Sequence, residues 1–229
     1  MTAKATAPAR EETRPLRKRI EGMADGLSPA DKAAVTCSSG ELAEFLAFLR
    51  KENETTNLVS SKAAEPEELV SRHLLDSLLG LSLLPPLSPA SLHLLDIGSG
   101  GGFPALPLLI VRRDLAGTLV ESTGKKCAFL ANVCRRLMLT AEVVNARFPD
   151  SFEMKGPARY DVLTSRAVHS AGRLVRAARP LLAPSARALL WTTEPLFPEA
   201  VRQSGARRSS FRFAPGADRR GIAILEGFT

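Results

Sequence analysis

The feature that most constrains this chain is the segment LLDIGSGGGFP at residues 94–104. A short apolar run ends in Asp96, and four glycines follow within five residues. Glycine loses more backbone freedom on folding than any other residue, so such a cluster needs a bare backbone for a purpose. In a sheet of parallel strands, a glycine loop between a strand and a helix marks the ligand crevice. The segment therefore predicts a strand, a binding loop and a helix in succession.

Apolar segments typical of buried strands alternate with helical segments from residue 92 onward. The predicted strands cover 92–97, 117–121, 141–145, 160–164, 186–192, 211–213 and 221–225. The predicted helices cover 104–112, 125–138 and 171–182. Nearly all-apolar strands that alternate with helices indicate an α/β fold, with a parallel sheet covered by helices on both faces.

The preceding region, residues 28–91, is predicted to form an N-terminal helical cap. Ser28 and Pro29 suit the capping position and the first turn of a helix. Apolar side chains then recur every three or four positions over 42–49, the spacing of an amphipathic helix. One further helix is predicted over 67–84, ended by two prolines.

Residues 1–27 show no lasting periodicity, so we expect a mobile basic arm with a short helix over 14–20. The 229-residue chain carries 31 basic and 24 acidic side chains, a formal charge of +7. A basic balance favours an anionic partner such as nucleic acid, and a solvated basic surface is the alternative. Composition alone leaves these two interpretations equal.

Cysteine usage and apolar run lengths indicate the compartment. The three cysteines form no CxxC pair, so we expect no metal site and no disulfide framework, as in a reducing cytoplasm. No run reaches the ~18 apolar residues of a membrane span. We therefore expect a cytoplasmic protein that uses neither a metal nor a membrane.

The residues of the glycine loop restrict which classes of ligand it can bind. A phosphate-binding loop needs GxxxxGK[ST], which is absent here. A dinucleotide pattern, GxGxxG/A, fits weakly from Gly100. The pattern DxGxGxG fits Asp96, Gly98, Gly100 and Gly102 in register and resembles the S-adenosylmethionine loop of class I methyltransferases. An aspartate at the strand end can reach the ammonium of that cofactor, so this interpretation is favoured over a nicotinamide dehydrogenase.

Glu121 ends the second predicted strand, nineteen residues after Gly102. A carboxylate at this position can accept hydrogen bonds from two ribose hydroxyls. Both candidate cofactors contain ribose, so Glu121 is a predicted cofactor residue that does not choose between them.

Several segments in order resemble one family. They are RHLLDS at 72–77, the glycine loop with Phe103 and Pro104, ES at 121–122 with KK at 125–126, and TSRAV at 164–168. Together they are similar to the bacterial small-subunit ribosomal RNA methyltransferase G family, also called the glucose-inhibited division protein B family. The resemblance implies a Rossmann-like class I S-adenosylmethionine-dependent methyltransferase domain, here 92–229, with an N-terminal helical cap. It also implies methylation of guanine N7 in a conserved loop of 16S ribosomal RNA of the small subunit.

The chemistry of N7 agrees with the residues present. Methylation of exocyclic amines commonly uses [ND]PP[YF] after the fourth strand, where this chain has TSRA. Methylation of cytosine C5 needs a cysteine nucleophile, usually after a proline, and neither Cys127 nor Cys134 has that context. Guanine N7 has a free lone pair and no proton to lose, so alignment of the reactants is the main requirement. A site without an obvious base is therefore expected.

The resemblance also implies individual contacts. It places cofactor contacts at Gly98, Phe103, Arg166 and the dipeptide Phe148-Pro149. Arg166 is the predicted catalytic residue, since strand-end charges face the crevice; an ion pair with Asp161 or Asp150 is the alternative. The predicted RNA contacts are Lys125, Lys126 and Arg147.

Other positions qualify the resemblance. His73 and Asp76 share one helix face and are expected to fasten the cap to the sheet. The family usually has a carboxylate at the position where this chain has Pro149. It also usually has a lysine near the end of the fifth strand, where this chain has LWTTE at 190–194. A catalytically impaired RNA-binding factor and a small-molecule methyltransferase therefore stay as alternatives, and we expect a monomer.

Overall fold

The computed structural model describes residues 10–88, 90–153, 159–166, 170–216 and 218–228. Within these residues, seven strands form one sheet in the order β3-β2-β1-β4-β5-β7-β6. The strands are β1 (Leu92–Ile97), β2 (Leu115–Glu121), β3 (Ala141–Asn145), β4 (Tyr160–Arg166), β5 (Leu182–Thr193), β6 (Arg208–Phe213) and β7 (Arg220–Glu226).

The direction of the strands confirms a doubly wound sheet with one addition. Strands β1 to β5 run parallel to one another, whereas β7 pairs antiparallel with both β5 and β6. The strand order reverses between β1 and β4, and ligands bind at such a switch point, outside the carboxyl ends of the strands. The glycine loop after β1 and the end of β4 therefore meet at the predicted crevice.

Helices cover both faces of the sheet. They are α1 (Arg10–Met23), α2 (Pro29–Cys37), α3 (Ser39–Thr56), α4 (Pro66–Glu68), α5 (Leu75–Leu78), α6 (Ala105–Val111), α7 (Gly124–Arg136), α8 (Ala171–Ala178) and α9 (Phe197–Ser204). One apolar core joins the cap, α6 and α7 to one face, and a second core packs α8 and α9 on the other. None of these helices has the length and apolar character needed to cross a membrane.

The expected mobile arm is wrong for residues 10–27, whereas the short helix expected over 14–20 is confirmed, since it lies within α1. Helix α1 buries Leu16 and Ile20, which are 2% and 0% exposed, in the core shared with α3. These residues are four positions apart, so they lie on one face, and the charged residues between them conceal this periodicity in the sequence. Residues 1–9 lie outside the described part of the chain.

The helix expected over 67–84 is confirmed only in part, because helical residues run without a break over 66–78 and are not α-helical throughout. A π-helical turn at Leu69–Leu74 separates α4 from α5, and a 3-10 turn follows at Leu81–Leu83. Between these two turns lies Gly80, where an added Cβ would come within 2.9 Å of the Trp191 ring. The side chain of Trp191, from β5, therefore fills the space beside the chain at this turn. Wide π turns occur often at functional sites, and this one contains His73.

Candidate active site

The glycine loop is held in a shape that only glycine adopts without strain. Gly98, Gly100 and Gly102 have φ values of +78°, +52° and +92°, in the left-handed region. The Gly98 and Ser99 amides both donate to the Val120 carbonyl, at 2.9 and 3.1 Å. A Cβ on Gly102 would lie 2.3 Å from Cδ1 of Leu106, so the loop also packs tightly on α6.

Glu121 fastens this loop to β2. Its Oε2 accepts from the Gly100 amide at 2.9 Å and its Oε1 from the Thr123 amide at 2.8 Å. Burial acts to raise the pKa of Glu121, but these backbone hydrogen bonds and the nearby Lys126 charge bring it below the usual value. This loop-bracing role depends on the strand register and leaves no signal in the sequence. The carboxylate retains acceptor capacity for ribose hydroxyls.

Asp96 is the buried acid of the site. It is 1% exposed, and its Oδ1 accepts from the Thr164 hydroxyl at 2.6 Å. Its Oδ2 is buried with no hydrogen-bond partner among the described residues. Burial raises the pKa of Asp96 to about 6, against the hydrogen bonds from Ser99 and Thr164. Burying a carboxylate oxygen without a partner costs free energy, which a hydrogen-bond donor or a cation from a ligand would offset.

These features fit S-adenosylmethionine. The glycine loop lets a ligand approach the backbone, Asp96 has an unpaired oxygen for an ammonium group, and Glu121 stands at the end of the next strand. No group of three or more histidine, cysteine or acidic side chains within the described ranges is placed to hold a metal ion.

Arg166 lies at the end of β4, beside the start of the glycine loop. Thr164 pairs with Asp96, so Arg166, two residues on, is level with Gly98. Nη2 of Arg166 donates to Nδ1 of His73, and its guanidinium lies 5.6 Å from the centre of the Phe103 ring. Its Nη1 is buried with no hydrogen-bond partner in the part of the chain that the structure describes.

The alternative, an ion pair of Arg166 with Asp161 or Asp150, is wrong: among the described residues the Arg166 guanidinium pairs with neither acid and contacts His73, and the Asp161 carboxylate accepts from the His93 amide at 2.9 Å. Residues 167–169, the end of the TSRAV segment and its following histidine, lie outside the described ranges. Arg166 therefore faces the crevice rather than a surface acid.

The expectation that His73 and Asp76 fasten the cap to the sheet is confirmed. Besides the contact of His73 with Arg166, Oδ2 of Asp76 accepts from Nη1 of Arg220 at 3.1 Å. The Asp76 carbonyl accepts from the Trp191 indole at 2.6 Å. Burial, followed by the charge of Arg166, lowers the pKa of His73 to about 4, so the ring is neutral.

Phe103 belongs to the interface between cap and loop. Its ring lies 5.3 Å from that of Phe45 and 5.2 Å from that of His73, and the residue is 6% exposed. The side chain thus packs on the cap beneath Arg166, and its predicted contact with the cofactor stays a prediction.

The remaining predicted residues lie on the far side of Glu121. The Ala146 amide and the Asn145 side chain both donate to the Glu121 carbonyl at 3.0 Å, which brings the loop after β3 to this edge. There Phe148 is half-buried against Phe152, with Pro149 and Arg147 exposed.

Lys125 and Lys126 begin α7, just after β2. Lys125 is exposed and Lys126 is half-buried, at the same carboxyl edge of the sheet as the glycine loop. Their position suits contact with a large anionic substrate, and the RNA contacts stay predictions.

Comparison with known proteins agrees with this geometry. A family model described as rRNA small subunit methyltransferase G matches residues 39–206. Two curated proteins named ribosomal RNA small subunit methyltransferase G are similar to this chain. The one from Sorangium cellulosum is 39% identical over 83% of this chain and 80% of its own length. The one from Acidiphilium cryptum is 35% identical over 80% and 77%.

Solved structures support the fold. The S-adenosylmethionine-dependent methyltransferase SibL superposes with a TM-score of 0.56 at 15% identity, over 95% of this chain and 75% of that one. The precorrin-6y C5,15-methyltransferase from Geobacter metallireducens superposes with a TM-score of 0.51 at 15% identity, over 65% and 84%. The predicted Rossmann-like class I methyltransferase fold is confirmed.

Proposed function

Because the chain belongs to the rRNA small subunit methyltransferase G family, we propose that it methylates N7 of a guanine in 16S ribosomal RNA. It is an S-adenosylmethionine-dependent methyltransferase, as this family membership implies. The target nucleotide, the small subunit as its setting and the cytoplasm as its compartment belong to the proposal.

The observation that carries the proposal is the position of Arg166 between the glycine loop and a cavity at the ends of β4 and β5. When bound, S-adenosylmethionine supplies a methyl group on a positively charged sulfur. Asp96, Glu121 and the amides of the glycine loop would hold and orient it. Arg166 lies at the boundary between this half of the site and the cavity.

The charged states of the site suit a reaction that removes no proton. His73 is neutral, and its Nδ1 is engaged by Arg166. Asp76 is engaged by Arg220. The lone pair of guanine N7 needs no base, so these residues serve to position the reactants, which is proximity catalysis.

The test is incubation with labelled S-adenosylmethionine and small subunits that lack the modification, followed by nucleoside mass spectrometry. We expect 7-methylguanosine in the 16S RNA of the wild-type reaction, and with Arg166→Gln we expect it to form at least about tenfold more slowly. Binding of S-adenosylmethionine without any methylated nucleoside would instead favour an impaired RNA-binding factor. Methylation of small molecules with salt-insensitive RNA binding would favour the other alternative.

A further inference from the structure

A cavity of about 370 Å³ opens at the carboxyl ends of β4 and β5, on the side of Arg166 away from β1. Its walls include Arg166, Trp191, Asp76 and Arg220. The volume lies in the range of small-ligand pockets, ~300–1,000 Å³. None of the cofactor-binding residues from the glycine loop lines it, so the cavity is a separate half of the crevice.

The sheet register fixes the polar groups of this cavity. Arg166 pairs with Trp191, which in turn pairs with Ile222, so these side chains stand in one row across three strands. Asp76 reaches this row from the cap and binds Arg220 at 3.1 Å. The order across the crevice is therefore the glycine loop, then Arg166, then Asp76.

Two of these groups have hydrogen-bonding capacity to spare. A carboxylate has about four acceptor sites, and within the described residues Arg220 is the donor to that of Asp76. Burial acts to raise the pKa of Asp76 despite the charges of Arg220 and Arg166, so the carboxylate is incompletely compensated. Nη1 of Arg166 is a buried donor without an acceptor among the described residues.

The apolar walls suit a flat ring. Trp191 is 8% exposed and is fixed by its indole hydrogen bond to the Asp76 carbonyl. Leu196, which lines the cavity, is 53% exposed. Enzymes that modify a base within RNA or DNA extrude it into such a pocket, where apolar side chains stack on it and polar groups read its edge.

We propose that this cavity receives the target guanine, with Asp76 accepting hydrogen bonds from N1–H and the N2 amino group and Arg166 donating to O6. Around the edge of the guanine, the atoms come in the order N7, O6, N1 and N2. In this cavity N7 would lie towards the glycine loop, O6 at Arg166, and N1 and N2 at Asp76. N7 thereby faces the cofactor half of the crevice. The inference rests on the proposed function and assigns the residues that choose the base.

This arrangement rejects adenine and favours the product charge. Adenine presents a donor at N6 and an acceptor at N1, so both hydrogen bonds would be replaced by unfavourable pairs. In the transfer, the N7 lone pair would form the bond to the methyl carbon while the bond between that carbon and the cofactor's sulfur breaks, its electron pair staying on sulfur. The positive charge would thereby pass to the base, where the Asp76 carboxylate would stabilise it. Asp76 would thus act through direct contact with the substrate.

The test combines a substitution in the enzyme with a substitution in the target base and compares all four pairs. Once the wild-type reaction has identified the methylated guanosine, RNA carrying inosine there removes only the N2 amino group. We expect wild-type kcat/KM to fall roughly tenfold to a hundredfold on inosine. For Asp76→Asn, we expect a similar fall on guanosine and a guanosine-to-inosine ratio close to one.

A matched control is Asp161→Asn, an acid whose carboxylate accepts from the His93 amide and does not line the cavity. It should keep the wild-type ratio. S-adenosylmethionine binding by calorimetry and the melting temperature report whether Asp76→Asn is folded. If that variant does not fold, the inosine result with the wild-type enzyme decides the matter.

An unchanged guanosine-to-inosine ratio in folded Asp76→Asn would overturn the inference, as would a wild-type enzyme indifferent to inosine. These outcomes are distinct from failure of the proposed function, in which the wild-type enzyme forms neither 7-methylguanosine on the guanosine RNA nor 7-methylinosine on the inosine RNA.

Discussion

Nδ1 of His73 accepts a hydrogen bond from Nη2 of Arg166, joining the cap to the end of β4 across 93 positions of sequence. Because the ring is neutral and its Nδ1 serves as the acceptor, His73 acts as a support for the guanidinium rather than as a base. Phe103 packs against both residues, so the cap, the glycine loop and the strand end meet at one point.

Replacing His73 should impair turnover more than cofactor binding. His73→Phe removes the acceptor for Arg166, and we expect kcat to fall roughly tenfold to a hundredfold, the effect of one hydrogen bond to a charged group. His73→Gln restores an acceptor oxygen and should recover part of the loss. Steady-state kinetics and calorimetry with S-adenosylmethionine check this. Equal activity of the Phe and Gln variants would argue against a positioning role.

The pH dependence of stability should report the same ring. The pKa of His73 falls from 6.5 in the unfolded chain to about 4 in the fold, so only the unfolded state takes up this proton between those values. The contribution of neutral His73 is present above pH 6.5 and is lost as pH falls toward 4. Relative to His73→Phe, the wild-type protein should lose about 2 kcal/mol of unfolding free energy between pH 7.5 and 4. Parallel curves for the two proteins would show that the ring is not held neutral.

The buried Asp96 carboxylate should lower the unfolding free energy of the protein while it increases the affinity for S-adenosylmethionine. Its pKa is raised from 3.8 to about 6, so ionisation in the fold is unfavourable, and this cost grows between those pH values and is constant above them. We expect Asp96→Asn to raise the unfolding free energy by about 1–3 kcal/mol at pH 8 and to change it little at pH 4. Denaturant titrations at both pH values measure this.

The same Asp96→Asn variant should bind S-adenosylmethionine roughly tenfold to a hundredfold more weakly at pH 8, because the ammonium loses its carboxylate. Calorimetry with the cofactor checks this. A less stable variant that binds the cofactor normally would contradict the assigned role of the unpaired Oδ2.

Gly102→Ala should destabilise the loop directly. A left-handed φ costs an ordinary residue about 1–2 kcal/mol, and the new Cβ would also lie 2.3 Å from Leu106. We expect a loss of more than about 2 kcal/mol of unfolding free energy. Gly40→Ala is the matched control, since its Cβ meets nothing within 4 Å in α3, and it should stay within about 1 kcal/mol of wild type.

The proposed RNA contacts are tested by salt. Each lysine that contacts a phosphate contributes about 0.7–0.9 to the slope of log affinity against log salt. We expect Lys125→Ala and Lys126→Ala each to lower the slope by about that amount. Arg135→Ala, in the last turn of α7, is the control and should leave the slope unchanged. If all three variants lowered the salt slope equally, RNA binding would depend on the overall positive charge and not on specific contacts of the two lysines.

The sequence predicted the parallel strands and the glycine loop because both depend on local pattern: apolar runs for strands, and DxGxGxG for the turn. It predicted less well where tertiary packing decides. Leu16 and Ile20 looked like part of a charged arm, although they pack on α3. The π turn that carries His73 has no signal in composition.

Long-range side-chain partners were also beyond the sequence. Glu121 was predicted as a ribose contact, but its hydrogen bond to the Gly100 amide depends on the fold around β2. Trp191 stood out only as a departure from the expected lysine. Its place beside Asp76 and Arg166 follows from the register of β4, β5 and β7, which no spacing rule gives.

The most direct test of the central claim is nucleoside mass spectrometry of 16S RNA from unmodified small subunits treated with S-adenosylmethionine and either the wild-type protein or Arg166→Gln. We expect one stoichiometric 7-methylguanosine with the wild-type protein and a rate at least about tenfold lower with Arg166→Gln. A methyl group found on another atom or another base, or an equally active Arg166→Gln, would contradict it.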